Sequence, residues 1–221
     1  MKKLSFKSSE QKIWFVSDLH VGHNKPFILN PRFYNNVNEA VQHTFDMMYS
    51  HIGPDDILFN LGDMVCGAGA NSEEYAKRVI TIPCKQHYYI WGNHSAGIKG
   101  LYDKVRNDIG LLADDIDMYP LPYPNSPFIF LGHYAEVFID STPVVLTHYP
   151  IASWNHMGDG GYNIHGHCHR NLKEDSTIKR LDVGWDWKKR PVEWNEIVRE
   201  LKSNKFSPVD HHGADTSSFF E

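Results

Sequence analysis

Asp18-Leu19-His20, Gly62-Asp63, Gly92-Asn93-His94, His148 and Gly166-His167-Cys168-His169 contain between them the donors that two adjacent divalent cations need. A hard, phosphate-seeking metal pair calls for a carboxylate to bridge the ions, imidazoles and oxygens around it, and positions left open for water and substrate. Asp63, preceded by a glycine, is the natural bridge, with one oxygen available to each ion. Asp18 and His20, two apart in an extended segment, point to one side and can share an ion. His167 and His169 can do the same, and His148 completes the second ion. Asn93 offers a neutral carbonyl oxygen, which keeps the site's negative charge low enough for an incoming phosphate. His94 is then left for chemistry, to protonate a leaving oxygen or to stabilise charge on phosphoryl oxygens. Cys168 faces the other way and reads as a small packed residue, since a thiolate ligand would suit tetrahedral zinc. Each piece alone is a weak signal: Asp-x-His occurs in surface loops, Asp63 could cap a turn, and His94 could be satisfied by a backbone carbonyl. Their ordered combination carries the reading.

The elements that must position these residues are short apolar runs. Ile13-Trp14-Phe15-Val16, Ile57-Leu58-Phe59, Tyr88-Tyr89-Ile90-Trp91, Val144-Val145-Leu146 and Tyr162-Asn163-Ile164 each lead into one of the five pieces, as buried strands leading into loops would. Helical spacing predicts helices over about 37–52, capped by Asn36, over 72–80, with Asn71 and Glu74 at capping-box spacing, over 100–107 and over 192–202. Strands alternating with helices make this an α/β chain, with its ligands at the carboxyl ends of strands. Phe128 to Asp140 and the following Val144-Val145-Leu146 lack a helix-length gap, so a second, partly antiparallel sheet is expected. The proline-rich stretch 119–127 reads as a loop. Residues 1–206 read as a single domain and 207–221 as a flexible C-terminal tail.

A chain of 221 residues can bury roughly 70% of its unfolded surface. Its net charge of -5 disfavours a dedicated binder of extended nucleic acid, which needs surplus Lys and Arg against phosphates. Three cysteines without CxxC spacing fit a reducing, cytoplasmic setting better than a disulfide framework, and no run approaches a membrane span. Of the fourteen histidines, His43, His51, His87, His156, His211 and His212 read as surface, helix or tail residues. Trp154, Trp185 and Trp187 read as core or loop anchors before base-stacking groups.

The order Asp-x-His, Gly-Asp, Gly-Asn-His, His, Gly-His-x-His resembles the calcineurin-like metallophosphoesterase superfamily, over about Ile13 to Asp186. Phe15 to Asn24, Thr147-His148-Tyr149-Pro150 and Leu181-Asp182-Val183-Gly184-Trp185-Asp186 resemble its small single-domain bacterial and phage members. The resemblance implies a four-layer α/β/β/α sandwich with mixed sheets. It places one ion on Asp18, His20, Asp63 and His169 and the other on Asp63, Asn93, His148 and His167. Manganese is the expected metal for activity, with iron, zinc and nickel also suited to mixed N and O ligands. A metal-bridging hydroxide between ions about 3.5–4 Å apart would attack phosphorus in line. The family usually has an acid after Gly-Asn-His, where this chain has Ser95, so weaker general-acid help from His94 and a preference for good leaving groups are expected. His23, Asn24 and Arg32, just past the first ligands, are candidate contacts to the substrate phosphate, with surface or loop-packing roles as the alternative.

These readings predict a metal-dependent phosphoric ester hydrolase acting on small phosphodiesters, favoured over phosphomonoesters, with nucleotides the expected class. A nuclease or nucleic-acid end-processing enzyme would instead need a basic groove beside the same metals. A noncatalytic metal-binding scaffold would show an eroded ligand set. The pocket walls are expected from loops 24–36, 95–99, 121–126 and 153–161, and no oligomeric state can be read.

Overall fold

The computed structural model describes residues 4–66, 71–109, 119–120, 123, 126–173, 176–202 and 204. Across these residues it is mixed α/β, with two mixed sheets and five helices. The first sheet contains β2 (Ile13–Val16), β3 (Ile57–Asn60), β4 (Gln86–Tyr89), β5 (Tyr119–Pro120), β6 (Phe128–Phe130) and β11 (Val192–Glu193), in the order β11-β2-β3-β4-β6-β5. Its central β2, β3, β4 and β6 are parallel, and antiparallel β11 and β5 close its edges. The second sheet contains β1 (Leu4–Phe6), β7 (Tyr134–Ile139), β8 (Thr142–Thr147), β9 (Tyr162–His165) and β10 (Arg180–Asp182), in the order β1-β7-β8-β9-β10. Only β7 and β8 are antiparallel there.

Period-two alternation explains why runs such as Ile13-Trp14-Phe15-Val16 are apolar throughout. Ile13 and Phe15 enter the core between the two sheets, with Phe59, Val137, Leu146 and Ile164. Trp14 and Val16 face a second core shared with three helices: α2 (Val37–His51), α3 (Ser72–Ile80) and α4 (Ala96–Ile109). In the five-stranded sheet Val144 and Leu146 face inward, while Val145 packs beneath Trp154, Met157 and Ile178 from loops. The last helix, α5 (Trp194–Lys202), brings Trp194, Ile197 and Leu201 into the inter-sheet core.

The predicted second sheet is present, but the 128–147 stretch divides between the two sheets. β6 pairs with β4 in the first, the chain turns at Gly132 with a φ of 80°, and β7 with β8 form the hairpin of the second. Asn36 caps α2 by accepting the Glu39 N–H. Asn71 makes no such cap on α3; its amide donates to the Tyr75 hydroxyl instead. The helix expected over 100–107 starts at Ala96, and the one expected from 192 begins two residues later because Val192 and Glu193 pair with β2. Tyr119 and Pro120, expected in a loop, form an edge strand, a position that tolerates proline. A one-turn helix, α1 (Pro26–Leu29), had no periodic signal. The three cysteines are free thiols, and no helix among the described residues is long and apolar enough to cross a membrane. The tail 207–221, with His211 and His212, lies outside the described residues.

At the centre of the inter-sheet core Phe59 stacks between Phe15 and Tyr88, each ring 5.2 Å away, and meets Phe6 edge-on at 5.3 Å. Phe59→Ala should cost about 3–5 kcal/mol of stability, as large-to-small changes in fully packed cores do. Urea unfolding measures this. A loss under about 1 kcal/mol would mean that the stack does not hold the sheets together.

Candidate metal centre

The five sequence pieces converge at the carboxyl ends of β2, β3, β4, β8 and β9. Backbone bonds bind their loops side by side: Asp18 N–H donates to the Gly62 carbonyl, His20 N–H to Asp63, Gly166 N–H to His148, and Val183 N–H to His165. The pleat does not aim the side chains, as the two-residue spacings suggested. Asp18, His20, Asp63, His167 and His169 all have left-handed backbone, with φ between 48° and 70°. Such conformations cost of order 1–3 kcal/mol each in non-glycine residues and persist only where surroundings impose them.

The surroundings include glycines that admit no side chain. A Cβ on Gly166 would collide with Ser17 and Asp18, and one on Gly92 with the Asp63 carboxylate. A Cβ on Gly62 would lie 2.7 Å from His148 Nδ1.

Asp18 is completely buried. Its Oδ2 accepts from the His167 N–H at 2.8 Å, while Oδ1 has no hydrogen-bond partner. His20 Nε2 and His169 Nε2 each lie 3.9 Å from that Oδ1, and His20 Nε2 is also without a partner. Asp63 is similarly divided. Its Oδ1 accepts the His94 N–H at 2.7 Å, and its Oδ2 faces His148 Nε2 at 3.3 Å and His20 Nε2 at 3.9 Å. The expectation of one Asp63 oxygen for each ion is therefore corrected: Oδ2 alone faces both sides.

His148 Nδ1 lies 2.7 Å from the Leu61 carbonyl, which can only accept, so Nδ1 carries a proton and Nε2 is turned toward the centre. His148 Nε2 lies 2.9 Å from Asn93 Oδ1, which in turn lies 2.9 Å from His167 Nδ1. An imidazole N–H can donate to Asn93 Oδ1, and a cation bound there would take the place of that proton. Asp18, His20 and His169 could hold one ion, and Asp18, Asp63 and His148, with Asn93 and His167 beside them, a second.

The electrostatics fit a cation. Burial, helped by the Asp182 charge, pushes the Asp18 carboxyl up to about 6 against the opposing pull of His148 and His169. Burial and the Arg32 charge push His20 down to about 3, so it is neutral and able to ligate. Burial would depress His148, but Asp63 and Asp18 hold it above the ordinary histidine range.

A second ring of residues, none of them read from the sequence as a support, orients the first. His169 Nδ1 donates to Asp186 Oδ2 at 2.7 Å, which directs Nε2 toward Asp18. Arg32 grips both oxygens of Asp186, at 2.9 and 2.8 Å, and donates to the carbonyls of Asp18 and Leu19. It is 3% exposed, so the reading of Arg32 as a substrate contact is replaced by that of a brace. Asp182 accepts from the Arg170 and Gly184 N–H groups and pins the histidine loop. Asn60 accepts from the Gly62 N–H, and its amide meets His87. His87, expected at the surface, is fully buried on β4, where burial alone lowers it to about 3. Asp182 and Asp186 were visible only as parts of a motif, and Asn60 carried no signal beyond its position before Leu61-Gly62.

A cavity of about 380 Å³ opens over the centre, lined by His20, Asp63, Asn93, His167, His169 and Asp186 among others. His94 and His23 line it too, whereas Asn24 is exposed and outside the lining. Ser95 does not serve His94. Its Oγ accepts from the Tyr89 hydroxyl at 2.7 Å and the Gly92 N–H at 2.9 Å, closing the turn into α4.

Asp186→Asn should leave the protein folded and weaken manganese binding by about 10- to 100-fold, since it removes the anion that orients His169. Calorimetric titration of metal-stripped protein measures this. Unaltered affinity would remove Asp186 from the centre.

No family model matches the chain, and no curated protein matches it. Among solved structures it is similar to the crystal structure of AQ665, a protein of unknown function from Aquifex aeolicus. The TM-score is 0.60, over 86% of this chain and 99% of that one, at 19% identity, which speaks for the fold alone.

Proposed function

We propose that the chain is a two-metal phosphoric ester hydrolase of the calcineurin-like kind, cleaving small phosphodiesters in preference to monoesters. The observation that carries this reading is a buried donor set beside an open cavity: Asp18 Oδ1 and His20 Nε2 have no hydrogen-bond partner, and Asp63 Oδ2 and the Nε2 atoms of His148 and His169 converge on them. Two divalent ions, manganese first among those this donor set accepts, would supply Lewis acidity to water and phosphoryl oxygens. The four-layer sandwich belongs to the same proposal.

The chain's own residues supply the rest. His94 stands at the cavity wall with its ring 5.6 Å from that of His20, where it can pass a proton to a leaving oxygen. No carboxylate orients it through Ser95, which is committed to Tyr89 and Gly92, so leaving groups that need little protonation are favoured. The complete ligand set supports an enzyme over a scaffold.

Manganese-reconstituted protein should cleave bis-p-nitrophenyl phosphate faster than p-nitrophenyl phosphate, and metal-stripped protein neither. Asp63→Asn should reduce turnover to background, and His94→Ala should lower kcat on these good leaving groups by less than the roughly 10²–10⁴-fold of full general-acid catalysis. Initial rates by absorbance, with circular dichroism as the check on folding, decide the matter. Equal rates for stripped and reconstituted protein would sink the proposal, and a faster monoester would reverse the assigned preference.

A further inference from the structure

The cavity has two unlike walls. Metal-capable and acidic groups form one, while Phe27, Ile28 and Pro31 form the other. Phosphate, charged and strongly hydrated, gains nothing from an apolar wall, so that wall must meet another part of the substrate. Its most accessible member is Phe27, 68% exposed on α1. Leaving a phenyl ring in water forgoes the roughly 1.5–3 kcal/mol that burial would give, a cost that a bound ligand can recover.

The ring is held on a fixed base. Ile28 and Leu29 are buried beneath α1, Pro26 starts the helix, and His23 meets Phe27 edge to face at 5.4 Å and 88°. Arg32, just beyond α1, anchors to Asp186 and to the carbonyls of Asp18 and Leu19, so the segment carrying Phe27 is tied to the one carrying the ligands. The tryptophans that sequence suggested as anchors are not available as alternatives: Trp154 and Trp185 are buried, and Trp187 packs with Arg170 and Lys188. Phe33 is more exposed, but it is absent from the cavity lining and lies under Lys189.

We infer that Phe27 is a stacking platform for the base of a nucleotide whose phosphate lies over the metal centre. The inference rests on the phosphohydrolase reading and names its substrate class. An aromatic platform accepts any base, because every base presents a π-face. The cavity's size, near the lower end of the roughly 300–1,000 Å³ typical of small-molecule sites, suits one nucleotide unit rather than a polymer.

The test is binding, so that it does not depend on turnover. Manganese-loaded protein is titrated calorimetrically with adenosine 5′-methylenephosphonate, in which carbon replaces the ester oxygen, and with methylphosphonate, which carries the same charged group without base or sugar. The nucleoside analogue should bind at least about tenfold tighter. Phe27→Ala should erode that ratio about 5- to 100-fold, in line with the loss of one base-stacking contact, while Phe27→Trp should preserve it. A ratio near one in the wild type, or one untouched by Phe27→Ala, overturns the platform while manganese-dependent binding of both ligands leaves the phosphohydrolase reading standing. Binding that is the same with and without manganese overturns both.

Discussion

Everything at the centre follows from one constraint: electron-pair donors are brought together where few protein donors can answer them. Asp18 Oδ1 and His20 Nε2 have no hydrogen-bond partner, and both are buried. A buried unanswered acceptor costs roughly 1–3 kcal/mol, and more if charged. Left-handed backbone at five of the site residues adds to that cost. The two mixed sheets and their shared aromatic core must therefore be stable enough to carry a region that would not fold this way alone. Hydrophobic burial far from the site holds the strand ends close enough for their loops to collide productively.

The secondary ring of contacts converts that closeness into direction. Each imidazole with a known outward partner is aimed by it: His148 by the Leu61 carbonyl and His169 by Asp186. The carboxylates are aimed from the other side, Asp18 by the His167 N–H and Asp63 by the His94 N–H. In both, one oxygen is held by backbone and the other left for the centre. The loops thus orient one another, since each supplies an N–H or carbonyl to a ligand borne by a different strand. The same reciprocity explains why Gly62, Gly92 and Gly166 admit no side chain: the loops pass too closely.

How much of this was legible in the sequence depended on whether the signal was local. Short continuous apolar runs made Ile13–Val16 and Ile57–Asn60 readable as buried strands, and the spacing over 37–52 and 72–80 made α2 and α3 readable as helices. The seven candidate ligands were readable because their types are restricted by metal chemistry and each follows an apolar run. What was not legible required a partner distant in sequence. Arg32 looks like a loop cation until Asp186, 154 residues away, is seen to hold it. His87 looks like a polar strand residue until Asn60 is found across the sheet, and Ser95 looks like a weakened acid until Tyr89 occupies it. The change of sheet after β6 was hidden for the same reason, since strand pairing is a long-range choice that the run 128–147 does not contain.

The β2–α2 connection ties the candidate ligands to the cavity lining. This segment begins with two ligands, Asp18 and His20, passes through His23 and Phe27 at the cavity, and ends at Arg32, which returns to brace the ligand loop through Asp186. A segment anchored at both ends by the centre cannot move its middle far without disturbing the ligands. The apolar wall is therefore placed relative to the donor set by covalent and hydrogen-bonded connections, and not by the packing of an independent lid. The candidate ligands Asp18 and His20 and the apolar residues Phe27, Ile28 and Pro31 are, in this geometry, carried by a single stretch of chain.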